Sequence, residues 1–278
     1  MKRISSISGI ISDYDIFFLD LWGVIHDGTH LYPKIYESLV ELKKLNKEVI
    51  FISNAPRRAI NVINVLHNLG IDESLYKEVV SSGEVGFRWL KNGYSNWGKR
   101  YYLISALKDV ATLDGLDFDR VDKLQEANFI LNLGFGSEEQ TTEDYHNILK
   151  EAANLSLPML CLNPDLEVVK INGDRFPCAG AIAKEYINFG GEVKWFGKPY
   201  IDIYNYCHDL LGRPDKNKIL AVGDSLETDI PGAKNFDIDS VLVTGGILKN
   251  KSIEEINNEC KKLNLTPKYI TSGFGFTS

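Results

Sequence analysis

The chain has 278 residues, 44% hydrophobic and 25% charged, which is ordinary for a folded soluble protein and enough for one large domain or a core plus a smaller insert. Its net charge of −7 gives a duplex nucleic-acid partner no global support, while leaving room for a local cationic pocket that takes a small anion. No stretch reaches transmembrane length without charges, and the start MKRISSISGIISDYDIFF lacks the apolar run and cleavage site of a signal peptide. The four cysteines, Cys161, Cys178, Cys207 and Cys260, form no CxxC pair and have no His at zinc-finger spacing. They read as buried thiols in a reducing compartment, so a cytoplasmic protein with neither a membrane nor a nucleic-acid partner is expected.

Strand and helix patterns alternate along most of the chain. Residues 16–20, IFFLD, form a short apolar run that ends in a carboxylate, as a buried parallel strand would. After the turn WGVIHDG, Pro33 opens a helical pattern with apolar positions at Ile35, Leu39, Leu42 and Leu45. A strand is predicted over 48–54, a helix over 57–70 capped by Gly70, and a strand over 78–82. This alternation implies a parallel sheet covered on both faces. The middle is less regular. Strands are predicted over 101–105, 128–133 and 158–163, a helix over 141–155, and a hairpin or irregular loop in EVVKINGDRFPCAG. Residues 84–192 are assigned to an inserted domain, leaving 1–83 and 193–278 as the core. The alternation resumes with a strand and turn over 192–199, a helix over 200–212, a strand over 218–225, a short helix in TDIPGAKNF and a strand over 240–246. An amphipathic helix in IEEINNECKKLN and an edge strand in YITS complete the chain.

Four polar signals stand at the ends of predicted parallel strands: Asp20, Ser53-Asn54, Lys198 and Asp224. Open α/β sheets bind ligands at that edge. Taken singly, each has a plain reading as a helix cap, turn residue or surface lysine. Together they have complementary chemistry. Asp20 and Asp224 can hold a hard cation such as Mg2+, which prefers oxygen ligands, and Asp20 can attack phosphorus as a carboxylate nucleophile. The Ser53 hydroxyl can donate to a phosphoryl oxygen, and Lys198 can neutralise charge on that group and on Asp20. Gly23 and Gly28 let backbone amides approach an anion. Trp89, Trp97 and Trp195 read as core or interface, and Arg57 and Arg58 as an exposed helix start as readily as a substrate contact.

These residues resemble the motifs of the haloacid dehalogenase superfamily. FFLDLWGVIHDG is similar to its first motif, FISNAPR to its second, FGKP to its third and AVGDSLETDIPGA to its fourth. The resemblance implies a Rossmann-like doubly wound parallel sheet with an inserted α/β cap. It makes Asp20 the nucleophile, Ser53 and Lys198 the phosphate ligands, with Gly23 and Asn54 beside them. The metal would be held by Asp20, Asp224 and the Trp22 backbone carbonyl, supported by Asp229. NPD at 163–165 and CAGAIAKEY at 178–186 resemble the type IIA cap subgroup, which acts on small phosphorylated metabolites and for which a cap-to-cap homodimer is compatible. Asn163 and Asp165 are candidate specificity residues.

One position departs from the family pattern. Its phosphatases usually carry a second Asp two residues after the nucleophile, as general acid and base; here that residue is Trp22. Such a group contributes about 10²–10⁴ in rate. Three consequences are open: His26 or Asp27 substitutes for it, the substrate has a good leaving group, or the protein binds a phosphometabolite with little hydrolysis. An aromatic there also resembles the dehalogenases themselves, although the cap and GDSLETDIPGA point to phosphate chemistry.

Overall fold

The computed structural model describes residues 1–93, 96–169 and 174–276, with the backbone alone at 107, 108 and 169. The chain divides into two compact units, one of Met1–Ser53, Ile60–Val80 and Lys198–Ser278, the other of Asn54–Ala59 and Ser81–Gly197. No helix among the described residues is long and apolar enough to cross a membrane.

In chain order the first unit opens with β1 (Lys2–Arg3), β2 (Ile16–Asp20), α1 (Ile35–Lys44), β3 (Glu48–Ser53), α2 (Ala59–Asn68) and β4 (Glu78–Ser81). All five residues of β2 are buried, as a central parallel strand requires. Helix α1 buries Ile35, Ser38, Leu39 and Leu42, one stripe at helical spacing. Helix α2 ends where Gly70, at φ +88°, turns the chain, its N–H donating to the His67 carbonyl.

The second unit contains α3 (Ser82–Lys91), β5 (Arg100–Ile104), β6 (Asp119–Val121), β7 (Phe129–Asn132), α4 (His146–Asn154), β8 (Met159–Cys161), β9 (Glu167–Val169), β10 (Arg175–Pro177), α5 (Ala179–Asn188) and β11 (Val193–Trp195). Five of these strands form a parallel sheet in the order β11-β8-β7-β5-β6, while β9 and β10 pair antiparallel. The turn of that expected hairpin, 170–173, lies outside the described residues. Leu149, Ile182, Ala183 and Tyr186 from α4 and α5 pack with Ile130 and Met159 of the sheet. Trp89 lies 5.5 Å from both Trp97 and Phe196, so these rings belong to the packing of this unit.

The chain then returns to the first unit with α6 (Ile201–Leu210), β12 (Ile219–Gly223), α7 (Asp229–Phe236), β13 (Asp239–Val243), α8 (Ile253–Lys262) and β14 (Tyr269–Thr271). The seven-stranded sheet runs β1-β14-β13-β12-β2-β3-β4. The chain moves outward from β2 through β3 to one side and returns at β12 on the other, so the carboxyl ends of β2 and β12 flank a topological switch point, where open α/β sheets hold ligands.

Three expectations change. The strand in YITS is not an edge, because Lys2 and Arg3 pair outside it; two residues carry no periodic signal. The strand before Lys198 joins β8 in the second unit's sheet, so that unit runs to Gly197 rather than 192. It also starts at Ser81 rather than 84 and takes in Asn54–Ala59, because the backbone of that segment is bonded to α3: the Gly83 N–H and the Ser82 hydroxyl both donate to the Ala55 carbonyl.

Candidate active site

Register brings the acidic residues to one edge. Leu19 of β2 pairs with Val222 of β12, and Asp20 pairs with Ile52 of β3. Asp20 therefore ends its strand beside Gly223-Asp224 on one flank and Ser53 on the other. Lys198 enters from the segment before α6, through a cis peptide bond to Pro199, and Asp229 opens α7.

These side chains form a buried ionic cluster. Relative exposures are 9% for Asp20, 4% for Lys198, 6% for Asp224 and 5% for Asp229, so water screens little of their interaction. The Lys198 ammonium donates to Asp20 Oδ1 and, at 2.7 Å, to Asp229 Oδ1. Asp229 Oδ2 accepts the Ser225 N–H at 3.1 Å, and Asp224 Oδ2 accepts the Ile247 N–H at 2.7 Å. Burial pushes the Asp20 carboxyl well above the usual range; Lys198 opposes this, while Asp229 and Asp224 add to it. Burial alone would discharge Lys198, but Asp20 and Asp229 outweigh it and hold the ammonium well above its ordinary value.

Three carboxylates against one ammonium leave an excess of buried negative charge. Asp20, Asp224 and Asp229 each present an oxygen, all within 4.8 Å of one another. An all-oxygen, net-negative set is the donor chemistry a hard divalent cation takes, so the residues fit Mg2+. Such a cation would relieve the repulsion that Asp229 and Asp224 add to the effect of burial on Asp20.

The loop after β2 is organised around its own side chains. Gly28, at φ +98°, lies against the Trp22 indole: a Cβ there would fall 2.5 Å from Trp22 Cη2. The His26 ring stands edge-on to Trp22, with centroids 5.8 Å apart, and its Nδ1 accepts the Gly28 N–H at 3.0 Å. Burial pushes the His26 imidazole down to about 4, so it is neutral near pH 7 with its proton on Nε2. Asp27 Oδ1 accepts the Thr29 N–H, the Thr29 hydroxyl and the His30 N–H at 2.8–2.9 Å. Burial raises that carboxyl, and these bonds more than reverse it, so the net direction is down. Both groups thus brace the turn.

Residues 17–119 match the family of haloacid dehalogenase-like hydrolases, and residues 195–272 match the related HAD-hydrolase-like family. The chain belongs to the haloacid dehalogenase-like hydrolases. It is 26% identical over 268 residues to a 4-nitrophenylphosphatase of Schizosaccharomyces pombe, covering 88% of each chain. It is 24% identical to an acid sugar phosphatase of Staphylococcus saprophyticus, covering 88% of this chain and 92% of that one. A haloacid dehalogenase-like hydrolase from Brucella suis superposes with a TM-score of 0.85 at 28% identity, covering 98% and 99% of the two chains. These full-length matches agree with the type IIA subgroup.

Within this haloacid dehalogenase-like site, sequence reading brings forward Asp20, Ser53, Gly23, Lys198, Asp224 and Asp229, and all belong to the first unit. Asn54 belongs to the second, where its amide donates to Asp165 Oδ1 at 2.8 Å and Asn163 Oδ1 accepts the Asp165 N–H at 3.1 Å. Asn163 and Asp165 therefore hold a local turn with Asn54. Sequence reading missed Gly246 and Ile247, which meet Asp224 through backbone, and Tyr32. The Tyr32 phenol is raised by burial and then by Asp224, Asp27 and Asp20, which puts it in the field of the cluster. A tyrosine in a loop and a Gly-Gly pair after a strand carry no signal of that kind on their own.

Proposed function

We propose that the protein is a magnesium-dependent phosphatase acting on a small phosphorylated metabolite through an aspartyl-phosphate on Asp20. The observation that carries this reading is the Lys198 ammonium seated between Asp20 and Asp229, with Asp224 completing a buried carboxylate cluster. Asp20, Asp224 and the Trp22 carbonyl would hold Mg2+, with Asp229 in support. Bound there, the cation supplies charge neutralisation for the phosphoryl oxygens and for Asp20.

The chain's own residues then have separate tasks. An Asp20 oxygen attacks phosphorus as the P–O bond to the leaving group breaks, and water later cleaves the acyl phosphate and regenerates the carboxylate. Lys198 offsets the growing charge, while the Ser53 hydroxyl orients the phosphoryl oxygens; the Gly23 N–H, expected to face the anion, donates instead to the His26 carbonyl at 3.0 Å. Asp229 keeps Lys198 directed at Asp20. Similarity to a 4-nitrophenylphosphatase and to acid sugar phosphatases supports the reaction class.

Turnover of alkyl phosphates is expected to be slow. Trp22 has no proton to give the leaving oxygen, His26 is neutral with Nδ1 engaged, and the Asp27 carboxylate is used by three turn donors. Those observations favour a second reading, a phosphometabolite-binding protein with little hydrolysis. Steady-state assays with para-nitrophenyl phosphate, acetyl phosphate and an alkyl phosphate distinguish the two. The phosphatase reading predicts turnover of the first two with Mg2+, and a gain of about 10²-fold or more on the alkyl ester in Trp22→Asp. Retained Mg2+ and phosphate binding with no turnover of any ester would establish the binding protein instead.

A further inference from the structure

We propose that Gly246 and Ile247, in the turn after β13, form a positioning element that presents Asp224 to the cation. This rests on the reading of the carboxylate cluster as a Mg2+ site. Two loops clamp the Asp224 carboxylate. A Cβ on Gly23 would fall 2.0 Å from Asp224 Oδ2, and a Cβ on Gly246 would fall 1.9 Å from the same atom and 2.7 Å from the Gly23 carbonyl oxygen. Only hydrogens fit between those two backbones and the carboxylate. The Ile247 N–H then donates to Oδ2 at 2.7 Å, which fixes the rotation of the carboxylate plane. Side-chain identity at 247 is immaterial to this bond; the path of the backbone is what counts.

That path is fixed from two directions. Below the turn, Leu248 is buried with Leu226, Ile230, Leu242, Ile256 and Ile270. Leu226 and Ile230 lie in the same short segment as Asp224 and Asp229, so one apolar cluster ties the turn to the acidic loop it serves. Beside the turn, the C-terminal segment acts as a brace. The Thr244 N–H donates to the Thr271 carbonyl at 2.9 Å, and Gly245 packs so closely on the Ser272 carbonyl that a Cβ would lie 2.4 Å from it. The same segment continues to α1, where the Phe276 N–H donates to the Ser38 hydroxyl at 2.8 Å and Phe274 is 1% exposed.

Gly246 has no left-handed φ, so the alanine variant is opposed by space alone and not by backbone conformation. Gly246→Ala must move the carboxylate or the turn. Isothermal titration with Mg2+ alone is the test, on the full chain, with the melting temperature of each metal-free variant measured alongside. Gly246→Ala is expected to weaken Mg2+ binding by about 10–100-fold, the range found when a group that orients a metal ligand is lost. Gly273→Ala, whose added Cβ meets nothing within 4 Å, is expected to bind as wild type. Leu248→Ala loosens the turn without touching the carboxylate and is expected to weaken binding severalfold; it decides the matter if Gly246→Ala does not fold. Wild-type affinity in a folded Gly246→Ala, or in a folded Leu248→Ala where the first is unfolded, overturns the positioning role and leaves the metal site standing. Absence of Mg2+ binding by the wild type overturns both.

Discussion

At the scale of single residues, the site is a balance of buried charges. Lys198 compensates two carboxylates at once, so removing it leaves Asp20 and Asp229 without their cation. Lys198→Met is expected to cost about 3–5 kcal/mol at neutral pH without added Mg2+, measured by urea unfolding, because an uncompensated buried charge costs more than the pair gained. The deficit should shrink on acidification. Without the ammonium, which holds it down, the Asp20 carboxyl titrates higher still in the folded state, and such a group favours folding at low pH and loses that contribution as pH rises. His26 has the opposite sign. Its folded value of about 4 lies below the ordinary 6.5, so between those values the unfolded chain takes up a proton that the folded chain refuses. Stability is therefore level above pH 6.5 and falls toward pH 4, by about 3 kcal/mol for this one group. His26→Gln should flatten that limb of the stability profile, and an unchanged profile would remove the buried neutral imidazole from the account. Asp20, Lys198 and Asp224, which the structure gathers in one cluster, are visible in the sequence because each stands at the end of a short, largely apolar stretch. Gly246 and Ile247 are not, since they act through backbone atoms that every residue possesses.

At the scale of elements, the loop after β2 shows what the sequence conveys and what it withholds. A glycine at 28 was expected to leave an amide open to an anion. In the structure that N–H instead donates to His26 Nδ1 at 3.0 Å, and the glycine seats the indole of Trp22 at a φ of +98°. Gly28→Ala combines that unfavourable backbone region with a clash against the ring, and is expected to destabilise the protein by about 1–3 kcal/mol in thermal or urea unfolding. A loss near zero would mean that the ring and the turn are loosely joined. The strands were readable in place more easily than in partnership. Residues Val193–Trp195 have the composition of a short strand, but three half-buried residues do not specify which sheet they join; pairing with Met159–Cys161 assigns them to the inserted unit. β14 likewise reads as an edge from the sequence, because nothing in Lys2–Arg3 announces a strand outside it.

At the scale of the molecule, the arrangement of motifs was the strongest signal. Four polar motifs in a fixed order, with a long interval between the second and third, imply one sheet interrupted by an insert, and the two compact units have that arrangement. The segment Asn54–Ala59 could not be assigned in advance, because its membership of the second unit depends on its own main chain, where the Ala55 carbonyl accepts from the Gly83 N–H and the Ser82 hydroxyl, rather than on hydrophobic pattern. The central claim concerns Asp20. With Mg2+ present, wild-type protein and Asp20→Asn are compared for hydrolysis of acetyl phosphate, whose leaving group needs no acid and so bypasses Trp22. The account predicts turnover by the wild type and a loss of at least about a thousandfold in the variant, as expected when a nucleophile is removed. Equal hydrolysis by the two proteins would contradict it.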